Sequence, residues 1–124
     1  MYIKPKKSLG QNFLSDKNMQ RKIIKACNLT KQDIVLEIGA GLGNFSAQIA
    51  PCVKKLYALE IDERLYPYLE QSLIKQDNCQ VVKCDILKFN LSKFLKDNLI
   101  KQKIKVIGNI PYYISSPIIE KLIN

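Results

Sequence analysis

The chain has 124 residues, 47% of them hydrophobic, and a formal net charge of +9; that length bounds it to one domain with a core of its own. No apolar run approaches the roughly 20 residues that cross a bilayer, and the basic N-terminus lacks the apolar stretch of a signal peptide, so a cytoplasmic location is expected. Histidine is absent and Cys27, Cys52, Cys79 and Cys84 form no CxxC pair, which excludes Ser-His and Cys-His hydrolases and leaves buried reduced thiols and no metal site as the expectation.

Residues 1–14, "MYIKPKKSLGQNFL", read as an extended basic arm. Residues 1–31 hold eight Lys or Arg against Asp16 alone, whereas residues 32–124 hold twelve against ten acids. A basic front predicts a polyanionic partner, nucleic acid foremost, because lysines near phosphates gain by releasing condensed counterions. Lysine outnumbers arginine 18 to 2, so a general compositional bias is the competing explanation, and charge alone does not separate the two. Ser15 or Asp16 is expected to cap a helix in which Met19, Ile23, Ile24 and Cys27 make one apolar stripe.

The run "IVLEIG" then predicts a buried strand, and the glycine-rich "GAGLGNFS" opens a helix over about Asn44 to Ala50, stopped by Pro51. The pattern repeats. A strand "LYALE" precedes a helix over about Arg64 to Ile74, where Pro67 is tolerable only in the first turn. A strand "QVVKC" precedes a helix near Leu91 to Leu99, and a strand "KVIGN" precedes one near Ile118. Alternation at this spacing predicts parallel βαβ units and an α/β doubly wound sheet, with continuously apolar strands buried on both faces.

Three features carry chemistry. In "EIGAGLG", glycines at 39, 41 and 43 allow a tight turn and a close backbone approach to a ligand above the next helix. The third glycine falls one place earlier than in the dinucleotide fingerprint GxGxxG, which favours S-adenosylmethionine over NAD; a plain strand-to-helix turn is the bland alternative. Glu60, 17 residues after Gly43 in "LEID", is suited to accept from ribose hydroxyls, and Asp62 is expected to cap the following helix. Asp85, in "CDIL" at the end of the third strand, can accept from an adenine amino group.

The last feature is "GNIPYYISSP". Pro111 has no N–H and pushes Ile110 out of the helical region, so Asn109-Ile110-Pro111 should be a stiff, extended loop with its carbonyls outward. Packing of Tyr112 and Tyr113 on the core is the alternative for that stretch alone. A sheet ordered 3-2-1-4 reverses between its first and fourth strands, where ligands bind at the carboxyl ends, so Gly39 and Asn109 should lie side by side.

Taken in order, "KKSLGQNFL", "LEIGAGLGNFS", "LEID", "CDIL" and "GNIPYYISSP" resemble the KsgA family of small-subunit ribosomal RNA adenine dimethyltransferases across essentially the whole chain. "LGQNFL" and "NIPYYIS" are distinctive of rRNA adenine dimethyltransferases, including the erythromycin-resistance Erm relatives; Pro117 after "ISS" looks more like KsgA. The resemblance implies a Rossmann-like class I methyltransferase fold and S-adenosyl-L-methionine as cofactor. It implies that Asn12 and Leu14 close over the cofactor, that Gly39 and the adjoining Gly41 turn contact its methionine part, that Glu37 helps hold the ammonium end, and that Glu60 and Asp85 take ribose and adenine. Asn109 stands between cofactor and target, and Asn109, the Ile110 carbonyl, Pro111 and Tyr112 form the target-base site; Tyr113 replaces an asparagine common there.

The implied activity is dimethylation of two adjacent adenosines near the 3′ end of small-subunit rRNA, on rRNA or a pre-30S particle, by a monomer without metal or membrane. Family members have a seven-stranded sheet and a small helical domain, so residues 1–124 are expected to be the N-terminal part of the catalytic domain. An Erm-like enzyme of large-subunit rRNA, a non-catalytic RNA-binding assembly module and a dehydrogenase-like nucleotide binder remain as alternatives.

Overall fold

A computed structural model describes residues 17–108. The elements run α1 (Lys17–Ala26), β1 (Ile34–Ile38), α2 (Asn44–Ile49), β2 (Lys55–Glu60), α3 (Tyr66–Leu73), β3 (Cys79–Lys83), α4 (Leu91–Asp97) and β4 (Lys105–Gly108), with 3₁₀ turns at Ala50–Cys52, Glu63–Leu65 and Ile86–Lys88. The four strands make one sheet in the order β3-β2-β1-β4, and every pairing is parallel. That is the order expected for a doubly wound α/β sheet of the Rossmann-like kind.

Alternation along each strand sorts the core into two layers. Ile34, Leu36 and Ile38 of β1 join Tyr57 and Leu59 of β2 under Ile86, with Phe89, Leu91 and Phe94 packed on them; the Tyr57 and Phe94 rings meet edge to face at 4.9 Å. On the other face, Val35, Leu56 and Ile107 pack with Phe45 and Ile49 of α2 and with Ile23, Ile24 and Cys27 from α1 and its end. Leu69 and Leu73 of α3 cover Ala58 and Ala40. Central β1 is buried along its whole length, whereas Val106 on β4 is 40% exposed.

Some boundaries differ from the sequence expectations for identifiable reasons. Met19 does not join the apolar stripe of α1 and is 45% exposed, while Gln20 is buried at 1%. Positions 20, 23, 24 and 27 share one helical face and 19 lies on its flank, and the Gln48 amide of α2 donates to the Gln20 side-chain oxygen, which makes the buried amide tolerable. The helix expected from Arg64 begins as a 3₁₀ turn and becomes α-helical at Tyr66, with Pro67 in its first turn. α4 stops at Asp97 because Leu99 takes a left-handed φ of 56°. The four cysteines are free thiols, half-buried rather than buried. The expected cap at Ser15 or Asp16 and the helix near Ile118 lie outside the described residues.

One lysine ties distant segments together. Lys105, the first residue of β4, donates through Nζ to the carbonyls of Cys27 and Asn28 and to Asp33 Oδ2, each at 3.0 Å. Asp33 also accepts from the Thr30 amide at 2.7 Å, and these two partners hold its carboxyl below the usual carboxylate range.

Candidate functional site

The site forms at the carboxyl ends of the strands, where β1 runs into a turn of three glycines. Gly39, Gly41 and Gly43 have φ of 70°, 64° and 89°, the left-handed region that costs glycine little. At Gly43 close packing adds to this, since a Cβ there would lie 2.8 Å from Ser72 Cβ of α3. The turn is fastened to β2: the Gly39 and Ala40 amides both donate to the Leu59 carbonyl at 3.0 Å. Ser72 Oγ holds it from α3 by donating to the Leu42 carbonyl at 2.7 Å.

Glu60 occupies the centre. Its side chain is buried, with the residue 3% exposed. Oε1 accepts from the Gly41 amide at 2.7 Å, and Oε2 accepts from the Ile61 and Asp62 amides at 3.0 and 2.9 Å. A carboxylate has about four acceptor positions, so one remains on Oε1 for a further donor such as a hydroxyl. Asp62 caps the following 3₁₀ turn by accepting from the Arg64 amide at 3.0 Å and pairs with that residue's guanidinium at 2.6 Å, the capping role expected of it.

Asp85 lies beside this arrangement. Glu60 stands in register with Lys83, and the Cys84 amide donates to the Glu60 carbonyl at 3.1 Å, so the acids close two neighbouring strands. Asp85 is partly exposed; Oδ1 accepts from the Leu87 amide at 2.9 Å, and Oδ2 has no partner among the described residues. Burial and then the charges of Asp85 and Glu60 push the Cys84 thiol up to about 11, so it stays protonated at neutral pH.

Glu37 sits beneath the turn. It is fully buried, and Oε1 accepts from Ser46 Oγ in the first turn of α2. Burial, opposed by that bond and aided by the charge of Glu60, raises its carboxyl from 4.5 to about 8, so it is largely protonated at pH 7.

The register pairs Ile38 of β1 with Gly108 of β4. The glycine turn therefore begins beside Gly108, the residue that precedes "NIPYY" in the chain. Asn109, Ile110, Pro111 and Tyr112, like Asn12 and Leu14, lie outside the described residues.

Sequence reading missed four contributors. Ile61 and Leu87 are exposed apolar residues directly beside Glu60 and Asp85; an apolar residue one or two places after each strand-ending acid is the signal that finds them. Ser46 and Ser72 hold the turn, and nothing in their spacing distinguishes them from helix-surface serines. Together, left-handed glycines, a buried acid with one acceptor position left, a second acid with an open oxygen, and apolar side chains next to both suit a ligand bearing a ribose and a flat base.

Residues 3–124 match the family model described as ribosomal RNA adenine dimethylase. The chain belongs to the ribosomal RNA adenine dimethylase family. Among curated members, ribosomal RNA small subunit methyltransferase A of Staphylococcus carnosus is 45% identical over 120 residues, covering 96% of this chain and 40% of the relative. The chain thus spans about two fifths of the length of the curated relatives it matches. A dimethyladenosine transferase structure from Plasmodium falciparum superposes with a TM-score of 0.74 at 33% identity, over 90% of this chain and 38% of the other. The 23S rRNA methyltransferase ErmE superposes with a TM-score of 0.73 at 28% identity, over 89% and 42%. These likenesses bear out the KsgA-family resemblance and the class I methyltransferase fold of the adenine dimethylases.

Proposed function

We propose that this adenine dimethylase chain carries the donor-binding and target-base segments of an S-adenosylmethionine-dependent enzyme that dimethylates N6 of two adjacent adenosines near the 3′ end of small-subunit rRNA. The protein acts as a cytoplasmic monomer on rRNA or a pre-30S particle during ribosome biogenesis. The observation that supports this reading is the pairing of Ile38 with Gly108, the residues that precede the glycine turn and "NIPYY" in a chain whose family match includes both.

S-adenosylmethionine, when bound, supplies an electrophilic methyl group on a sulfonium centre. Glu60 offers its remaining acceptor position to a ribose hydroxyl, Asp85 Oδ2 accepts from the adenine amino group, and Ile61 and Leu87 give the base apolar walls. Gly39 and Gly41 border the methionine part, and Asn12 and Leu14 close over it. On the target side, Asn109 Oδ1 and the Ile110 carbonyl accept from the two N–H groups of adenine N6. The N6 lone pair is delocalised into the ring, and hydrogen bonds to both N–H groups favour a pyramidal, more nucleophilic nitrogen. Pro111 stiffens the segment, and Tyr112 stacks on the extruded base, worth about 1–3 kcal/mol per base in nucleic-acid binders. No strong base is required, since the proton can leave after methyl transfer.

The deciding experiment is mass spectrometry of rRNA from cells with and without the gene. Loss of adjacent N6,N6-dimethyladenosines from small-subunit rRNA is expected. The likeness to ErmE supports a second reading, action on large-subunit rRNA, and loss of dimethyladenosine there instead would favour it.

A further inference from the structure

The bond between Ser46 and Glu37 serves none of the ligand contacts described above. Glu37 leaves β1 on the same face as Val35, the face that α1 and α2 cover. It is 2% exposed, Ser46 is completely buried, and Ser46 Oγ donates to Glu37 Oε1. The two residues stand on either side of residues 39–43, so their bond joins the two ends of the glycine turn from below.

That position matters because the start of α2 is otherwise fixed by the packing of Phe45 and by contacts of Leu42 and Gly43 with α3, and not by a hydrogen bond from its own side chains to the sheet. The helix has six residues, too few to be stable by itself. Its N-cap is Gly43, which offers no side-chain acceptor to the free amides of the first turn. Ser46, the third helical residue, is thus the side chain through which the first turn of α2 is hydrogen-bonded to the sheet.

We infer that Glu37 and Ser46 are positioning residues, a buried pair that fixes α2 against β1 and so holds the backbone of residues 39–43 in the conformation that borders the methyl donor. This rests on the methyltransferase reading above. Glu37 then works through the turn instead of meeting the donor's ammonium group as a solvent-facing anion, which its burial against a hydroxyl disfavours.

The test compares Ser46→Ala, Ser46→Thr, Glu37→Gln and Glu37→Leu in the protein expressed from its whole reading frame, by amide hydrogen exchange and by calorimetric binding of S-adenosylhomocysteine. Ser46→Ala should speed exchange of the residue 39–43 amides and weaken binding, each by about three- to tenfold, while the Leu36 and Leu59 amides keep their wild-type rates. Ser46→Thr restores the hydroxyl and both properties. Glu37→Gln still accepts from Ser46 and should bind within about threefold of wild type, whereas Glu37→Leu should behave like Ser46→Ala. Equal loss of binding in Glu37→Gln and Glu37→Leu, with turn exchange unchanged, overturns the inference in favour of direct contact with the ligand. Uniform acceleration across turn and sheet overturns it in favour of general stability alone. If the wild-type protein binds no S-adenosylhomocysteine, the functional reading fails, and the exchange measurements still decide the role of the pair.

Discussion

Glu60 and Asp85 end neighbouring strands, yet they are built differently. Glu60 is enclosed and accepts from three backbone amides, one of them in the glycine turn. Asp85 is half-open and accepts from one. The first acid is part of the scaffold before any ligand arrives, whereas the second caps a short turn and has one oxygen without a partner among the described residues. Two residues of one chemical type at neighbouring strand ends are therefore expected to contribute very unequally to stability.

The largest expected effect comes from Glu60→Ala. It strands the amides of Gly41, Ile61 and Asp62 in a buried site, which should cost about 3 kcal/mol or more by chemical denaturation and abolish calorimetric binding of S-adenosylhomocysteine. Preserved stability would show that water replaces the carboxylate freely. Gly43→Ala probes the same turn without touching either acid. A left-handed φ and a Cβ at 2.8 Å from Ser72 predict a loss of about 2 kcal/mol in the same denaturation measurement.

Asp85→Ala should sharpen the contrast. Only a cap is lost, about 1 kcal/mol, while ligand affinity falls about tenfold for one hydrogen bond to the ionised carboxylate. Equal destabilisation by Asp85→Ala and Glu60→Ala would erase the distinction between the two acids.

A separate lever is pH. Folded Glu37 holds a proton up to about pH 8 that the unfolded chain releases near 4.5, so its contribution to stability declines as pH rises through that window. Glu60 is among the causes of the shift and Asp85 is not. Glu60→Gln should therefore move the alkaline end of the decline to lower pH, Asp85→Asn should leave it in place, and Glu37→Gln should flatten it. Denaturation midpoints measured between pH 5 and 9 separate the three.

Much of this arrangement was legible from sequence because it depends on period and punctuation. Continuously apolar runs such as "IVLEI" marked the inner strands, the glycines marked the turn, and Glu60 and Asp85 fell at strand ends; the 3-2-1-4 order was expected from the doubly wound topology of repeated βαβ units. The bonds of Glu60 were not legible, since they depend on where the turn's amides point, and no residue spacing encodes that. Gln20 was hidden for a related reason: its burial follows from a partner 28 positions away on another helix. Pro67 signalled a helix start, but the 3₁₀ turn before it arises from the Asp62 cap.

The three contacts of Lys105 act as the zero mark of a ruler. Side chains of a strand point alternately to its two faces, so a slip of one position would turn Ile107 out of the core and Val106 into it. It would also displace the far end of β4 by about 3.3 Å relative to Gly39, more than the distance tolerance of a hydrogen bond. Anchoring the strand at its first residue, to segments more than 70 positions earlier in the chain, thus calibrates where the fourth residue, Gly108, stands beside Ile38 at the head of the glycine turn.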